Sequence, residues 1–336
     1  MTDGEKTMTD WQVSERAAAL HAEALVWDNH AGFEPEPDED LSALARWRDS
    51  GVDYLSVNVC YDRRPWEDAF RALSAYRAWV MAHPEGFVLA ATADDVRRAK
   101  ADGKMAIAFD IEGMAALNQD VGMVDVFYRL GVRQMLFAYN INNPAGGGCH
   151  DEDTGLTDFG RAVIAEMNRV GMLIDCSHSG YRTTMEAMET SAAPVIFSHS
   201  NSRRLCDHER NIVDEQIVAC AATGGMVGVT GIGAFLGAGG PTVEGLVRHI
   251  DYMSEMIGPE RVGIGLDYAL HDDALDTERD SQFWPPHIYG KGDIGYLEPE
   301  AFPRITEALL AGGYGDDQVR GILGENFLRI AGAVWK

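Results

Sequence analysis

The chain has 336 residues, 46% of them hydrophobic, with 53 acidic against 28 basic side chains and a formal charge of -25. That apolar content supplies a sizeable core, and the negative field repels phosphate backbones and anionic lipid, so neither nucleic acid nor a membrane surface is an expected partner. The five cysteines (Cys60, Cys149, Cys176, Cys206 and Cys220) are odd in number and form no CxxC pair, which argues against a disulfide framework and for a reducing compartment.

In chain order, the first stretch has no apolar segment with a cleavage site, and no run reaches bilayer length; a cytoplasmic protein is expected. A helix is expected over 12–24. Eight short apolar runs then read as strands: 25–29, 54–60, 105–111, 134–139, 171–175, 194–198, 225–230 and 262–266. Helix-patterned segments lie between them, for example 66–82, 158–170 and 242–257, and glycine turns such as RLGVRQ and RVGMLI precede several strands. Eight strand–helix units predict parallel pairing and an α/β fold, a closed (β/α)8 TIM barrel, spanning 1–336 as a single domain. The 268–300 stretch follows the last strand as a long loop, read as a lid, a substrate wall or a plain surface excursion. An amphipathic helix ends the chain.

The chemistry gathers where the strands end. GMLIDCSHSG and APVIFSHSNS close on His178 and His199, KMAIAFDIEG closes on Glu112, and EALVWDNHAG on His30. Barrel enzymes present their reactive side chains at these C-terminal strand ends, and three histidines with one carboxylate point to a metal site. Glu112 alone reads equally as helix-start capping chemistry. Asp267, ending GIGLD, is a candidate general base or an N-cap. Arg210 suits fork-like binding of a carboxylate, although an ordinary exposed arginine is the simpler reading. His150 lies near the expected mouth, whereas His21, His83 and His249 fall on helix patterns and are expected at the surface.

Taken in order, DNHAG, DIEG, IDCSHSG, PVIFSHSNSRRL, ERNIVDEQ, GIGLD and ILGENFLRI resemble the membrane (renal) dipeptidase family of zinc metallopeptidases, from about Leu25 to Ile330. The resemblance implies an amidohydrolase-type barrel whose mouth holds two Zn2+ ions bridged by Glu112, with His178 and His199 on one ion and His30 on the other. It also implies a substrate-carboxylate role for Arg210 and a catalytic role for Asp267. Two positions depart. The family's His-x-Asp pair becomes His30-x-Gly32, so one or two ions are expected, with Asp28 or His271 as replacement ligands. The family's Leu-Thr-His-Asn becomes FAYN, which puts the phenol of Tyr139 where a histidine contacts substrate; a phenol still donates to an oxyanion.

The expected function is therefore metal-dependent hydrolysis of a small amide, most simply a dipeptide. N-acyl amino acids or related amides are the alternative substrates, and a catalytically impaired binding protein of the same fold is the other class. A homodimer is the expected assembly.

Overall fold

The structure, a computed structural model, describes residues 11–270, 281–289 and 294–336. Ten strands are described: β1 (Trp27–Gly32), β2 (Tyr54–Tyr61), β3 (Phe87–Leu89), β4 (Met105–Glu112), β5 (Val132–Leu136), β6 (Leu173–Asp175), β7 (Val195–Phe197), β8 (Met226–Val229), β9 (Val262–Ile264) and β10 (Tyr268–Ala269). All pairings are parallel, in the order β10-β1-β2-β4-β5-β6-β7-β8-β9. The last stave is broken in two. β9 pairs with β8, β10 pairs with β1, and Asp267 between them donates its backbone N–H to His30 O at 3.1 Å, which shuts the ring. This is the α/β TIM-barrel fold expected from eight strand–helix units. β3 is additional, lying beside the lower half of β4 at Met105–Ile107; its three apolar residues are too few to register as a strand in the sequence.

The helices Trp66–Ala82, Asp158–Val170 and Val243–Ile257 fall where their apolar periodicity put them. The N-terminal helix is Glu15–Glu23, shorter than 12–24. Ser14 accepts from Ala17 N and sets its start, and the extended backbone at Ala24 ends it. Within 268–300, Pro286–Tyr289 is a short helical turn and Pro299–Ala301 a 3-10 turn, while His271 lies outside the described residues.

Strands packed on both faces carry near-continuous apolar runs, and β2 and β4 are buried along their whole length. The exceptions face inward. Ser56 and Asn58 on β2 and Asp110 and Glu112 on β4 alternate along their strands and bond one another across the barrel interior. At the opposite end Trp27 stacks on Tyr54 at 3.5 Å and meets Phe327 and Trp335. The ILGEN phrase locks this floor. A Cβ on Gly324 would stand 2.3 Å from Leu25 O, and Asn326 donates to Pro259 O and Val262 O at 2.8 and 2.9 Å.

Two expectations for histidines are corrected. His21 and His249 are fully buried. His21 donates from Nε2 to Ser50 O at 2.9 Å and accepts the Thr306 hydroxyl at Nδ1, while His249 Nδ1 accepts from Ser202 N. Helical spacing shows which residues share a face but not what a second layer lays over it. His83 is half-buried against Trp79. Among the described residues no helix is long and apolar enough to cross a membrane.

Candidate metal centre

His30 sits near the end of β1, Glu112 closes β4, and His178 and His199 follow β6 and β7 by two or three residues. All are buried, and they converge. Glu112 Oε1 lies 3.2 Å from His178 Nε2, 3.4 Å from His199 Nε2 and 3.5 Å from His30 Nε2. The two later imidazoles approach at 3.0 Å between their Nε2 atoms. The sequence reading makes Glu112 a bridge between two ions; the fold gathers the three rings around one of its carboxylate oxygens.

Each ring is held from behind. His178 Nδ1 donates to Asn140 Oδ1 at 2.7 Å, and Asn140 is oriented by its own donation to Phe283 O at 2.9 Å. His199 Nδ1 donates to Ser198 Oγ at 2.7 Å, because the Ser198 hydroxyl hydrogen is committed to Asp175 Oδ2. His30 Nδ1 faces Asp110 Oδ1 at 3.2 Å, and that carboxylate also accepts from Ser56 and Asn58. With every Nδ1–H spent, a neutral imidazole presents its lone pair at Nε2. Three lone pairs and the unpartnered, buried Glu112 Oε1 thus point into one space. That arrangement is repulsive by itself and fits a divalent cation. Ligand atoms at the corners of a tetrahedron with bonds of 2.0–2.1 Å stand about 3.3 Å apart, close to the distances of the three rings from Glu112 Oε1. The ligand atoms of His30, Glu112 and His199 all lie within 4.8 Å of one another, a set that leaves out His178.

Without a cation the site holds protons in its place. Burial raises Glu112 to about 8 and Asp267 to about 6. Burial opposes a proton on His30, but Asp110, Glu112 and Asp267 outweigh it and lift this ring well above its ordinary range. His178 and His199 are pushed well below theirs by burial and then by nearby positive charge. Glu112 and His30 thus carry protons that a bound cation would displace.

The backbone is special here. His178, Asp267 and Asn140 have φ of +62°, +59° and +65°, a left-handed region costing a non-glycine residue about 1–3 kcal/mol, held at functional sites by surrounding structure. Asp267 is no helix cap; it occupies the break between β9 and β10, with Oδ1 3.5 Å from His30 Nε2 and Oδ2 3.9 Å from His199 Nε2. In DIEG, Gly113 has φ +110°, and a Cβ there would stand 2.1 Å from the Asp62 carboxylate. That carboxylate accepts from Ala115 N, Tyr139 N and Asn143, clamping two mouth loops together.

Tyr139 stacks on His178 at 4.3 Å, and its hydroxyl accepts from Trp284 Nε1 at 3.3 Å; burial keeps the phenol protonated, its pKa well above 10.0. Arg210 is buried rather than exposed. It donates to Ser200 Oγ at 3.3 Å and His199 O at 3.0 Å, and its Nε has no partner. Asp28 is corrected as a replacement ligand, since its oxygens are taken by Leu266 N and Trp47 Nε1, both at 2.8 Å. His150 bonds the Tyr289 hydroxyl at 2.9 Å. Gly32, His30, Glu112, Tyr139, His178 and Asp267 line one cavity, walled on its far side by Trp284 and Tyr289. The described part of the long loop therefore contributes to the cavity wall.

Asp110, Asn140 and Asp62 escaped the sequence reading. Asp110 alone left a signal, standing two residues before Glu112 on the same strand face.

The model of the membrane dipeptidase family, peptidase family M19, matches residues 60–281. The chain belongs to this family. As an M19 member it is 28% identical over 310 residues to the dipeptidase verJ of Clonostachys rogersoniana, covering 88% of this chain and 75% of that protein. It is 30% identical over 302 residues to dipeptidase 3 of Rattus norvegicus, covering 86% of this chain but only 57% of the rat protein's length. Among solved structures, an amidohydrolase from Pseudomonas aeruginosa superposes with a TM-score of 0.86 at 29% identity, covering 95% of this chain and 99% of that one. M19 membership makes the chain a metallohydrolase of the dipeptidase type.

Proposed function

We propose that this protein hydrolyses a small amide, most simply a dipeptide, with Zn2+ held by His178, His199, Glu112 and His30. The observation carrying this is the set of three Nδ1-anchored imidazoles whose Nε2 atoms close on Glu112 Oε1 beside a cavity that Asp267 lines. A zinc ion bound there lowers the pKa of water toward about 7 and polarises a carbonyl. Asp267 takes a proton from the attacking water and returns it to the departing amine. Tyr139, protonated and on the cavity wall, donates a hydrogen bond to the oxygen that gains charge. Arg210, the expected partner of the substrate carboxylate, lies beside the cavity rather than in its lining, with its Nε–H unpartnered. Gly32 contributes no ligand on the His30 side, so one firmly held ion is expected and a second held more weakly.

Elemental mass spectrometry of protein purified without chelator, paired with dipeptide turnover before and after chelation, tests this. One to two metals per chain and chelator-sensitive turnover are expected. Protein that takes up no metal on adding zinc, or turns over unchanged without it, defeats the proposal.

A further inference from the structure

His30, Glu112, His178 and Asp267 line the cavity; the rest of its lining is largely apolar and aromatic, with Phe33, Ile232, Phe235, Trp284, Ile294 and Tyr296. One further carboxylate, Glu34, lines this space, and no lysine or arginine does so among the described residues. Glu34 lies two positions past Gly32, just beyond the end of β1, and is half-buried. Its carboxylate accepts only long hydrogen bonds from the Tyr61 hydroxyl, at 3.4 and 3.5 Å. Arg63 donates to that hydroxyl at 3.1 Å, and Arg64 pairs with Glu36 and Asp68. Glu34 also stands outside the cluster of ligand atoms that approach within 4.8 Å.

We infer that Glu34 receives the free ammonium group of the substrate, so that the site selects amides with an unblocked amine over their N-acylated counterparts. The inference rests on the amide-hydrolase reading above and narrows it. Glu112 and Asp267 are committed to the metal and to proton transfer, which leaves Glu34 as the cavity carboxylate with no assigned task; the charges of Arg63 and Arg64 reach it from outside the cavity lining. The rings of Tyr61, Tyr139 and Trp284 pack on one another along the same cavity, and aromatic faces favour positive charge, as with the Arg63 guanidinium 5.6 Å from the Trp284 ring. The chain's charge of -25 acts in the same sense, drawing cationic groups toward the mouth. An ammonium placed there forms a charge-assisted hydrogen bond in a partly dry setting. An acyl cap instead desolvates Glu34 and offers no charge in return, which is how a polar site rejects an analogue lacking the expected group.

The test uses the full chain with its metal and two matched pairs. One pair is a phenylalanyl dipeptide and its N-acetyl derivative, followed by turnover; the other is a phosphinate pseudodipeptide with a free amine and its N-acetyl derivative, followed by calorimetric binding. The wild type should favour each free-amine member by about 10- to 100-fold, the range for a hydrogen bond to a charged group. Glu34→Gln should bring the two members of each pair level, Glu34→Asp should keep part of the preference, and metal content should stay unchanged in both. Equal handling of amine and N-acetyl forms by the wild type overturns the inference. So does a Glu34→Gln loss that falls equally on both forms, or one accompanied by lost metal, which would make Glu34 a ligand. If the wild type turns over neither dipeptide yet still prefers the free-amine phosphinate, the hydrolase reading fails while the ammonium site stands.

Discussion

Asp110→Asn separates the support of a ligand from the ligand itself. Asp110 accepts from His30 Nδ1 at 3.2 Å, from Asn58 at 3.2 Å and from the Ser56 hydroxyl at 2.6 Å. An asparagine whose Oδ1 faces His30 and Asn58 keeps the first two bonds, and Ser56 needs only to turn its hydroxyl to accept the third. Shape and hydrogen-bond count survive; the negative charge does not. A charge-assisted bond is roughly twice as strong as a neutral one, and removing it lowers the basicity of His30 at Nε2. Losing such support behind a metal-bound histidine costs about 10- to 100-fold in affinity, or about 1.4–2.8 kcal/mol. Competition against a chelator of known affinity, run beside thermal unfolding of chelated protein, measures both consequences. The expected result is weaker metal binding with unfolding little changed. Equal affinity in variant and wild type would refute the view that Asp110 acts through His30, and a collapse of stability would recast Asp110 as a fold residue.

Other expectations follow from the same geometry. Asp267→Asn should retain the metal and lose at least about 100-fold in turnover, the scale of a general base; near-normal turnover removes Asp267 from the chemistry. Gly32→Asp should fold and raise the metal content per chain, since a Cβ at position 32 meets Ala269 at 3.5 Å and Tyr268 O at 3.8 Å, both ordinary contacts; unchanged content would mean the added carboxylate does not reach the His30 side. Burial lowers His21 from 6.5 to about 4. The unfolded chain therefore takes this proton first, so the stabilisation is complete above pH 6.5 and is lost as pH falls toward 4, by about 2 kcal/mol at pH 5. Urea unfolding of wild type and His21→Gln across that window should give profiles that converge as the pH drops, and parallel profiles would count against it.

Strand ends were the most legible part of the chain, because a barrel strand is a short apolar run and its terminal polar residue stands out. His30, Glu112, His178, His199 and Asp267 could be picked out on that basis, and the fold brings them together. Their supporting residues could not be. Asn140 bonds a ring 38 positions away and Ser56 a carboxylate 54 positions away, and nothing local marks such partners. Exposure was misjudged for Arg210, His21 and His249 for the same reason, since their covers come from distant segments. Asp28 looked available as a ligand because the tryptophan that occupies it, Trp47, arrives from a helix 19 positions on.

The break between β9 and β10 has a bearing on how the protein matures. Asp267 lies in the seam where the first and last barrel strands meet, and the neighbouring Leu266–Asp28 bond joins positions 238 apart. Closing so long a loop costs ordering entropy and rewards it only at the end. Helices and neighbouring strand pairs can assemble while the seam still gapes, but Asp267 then has no His30 beside it. Regain of activity on refolding should thus trail regain of helical signal, and the chain withholds its hydrolytic power until its two ends have found each other.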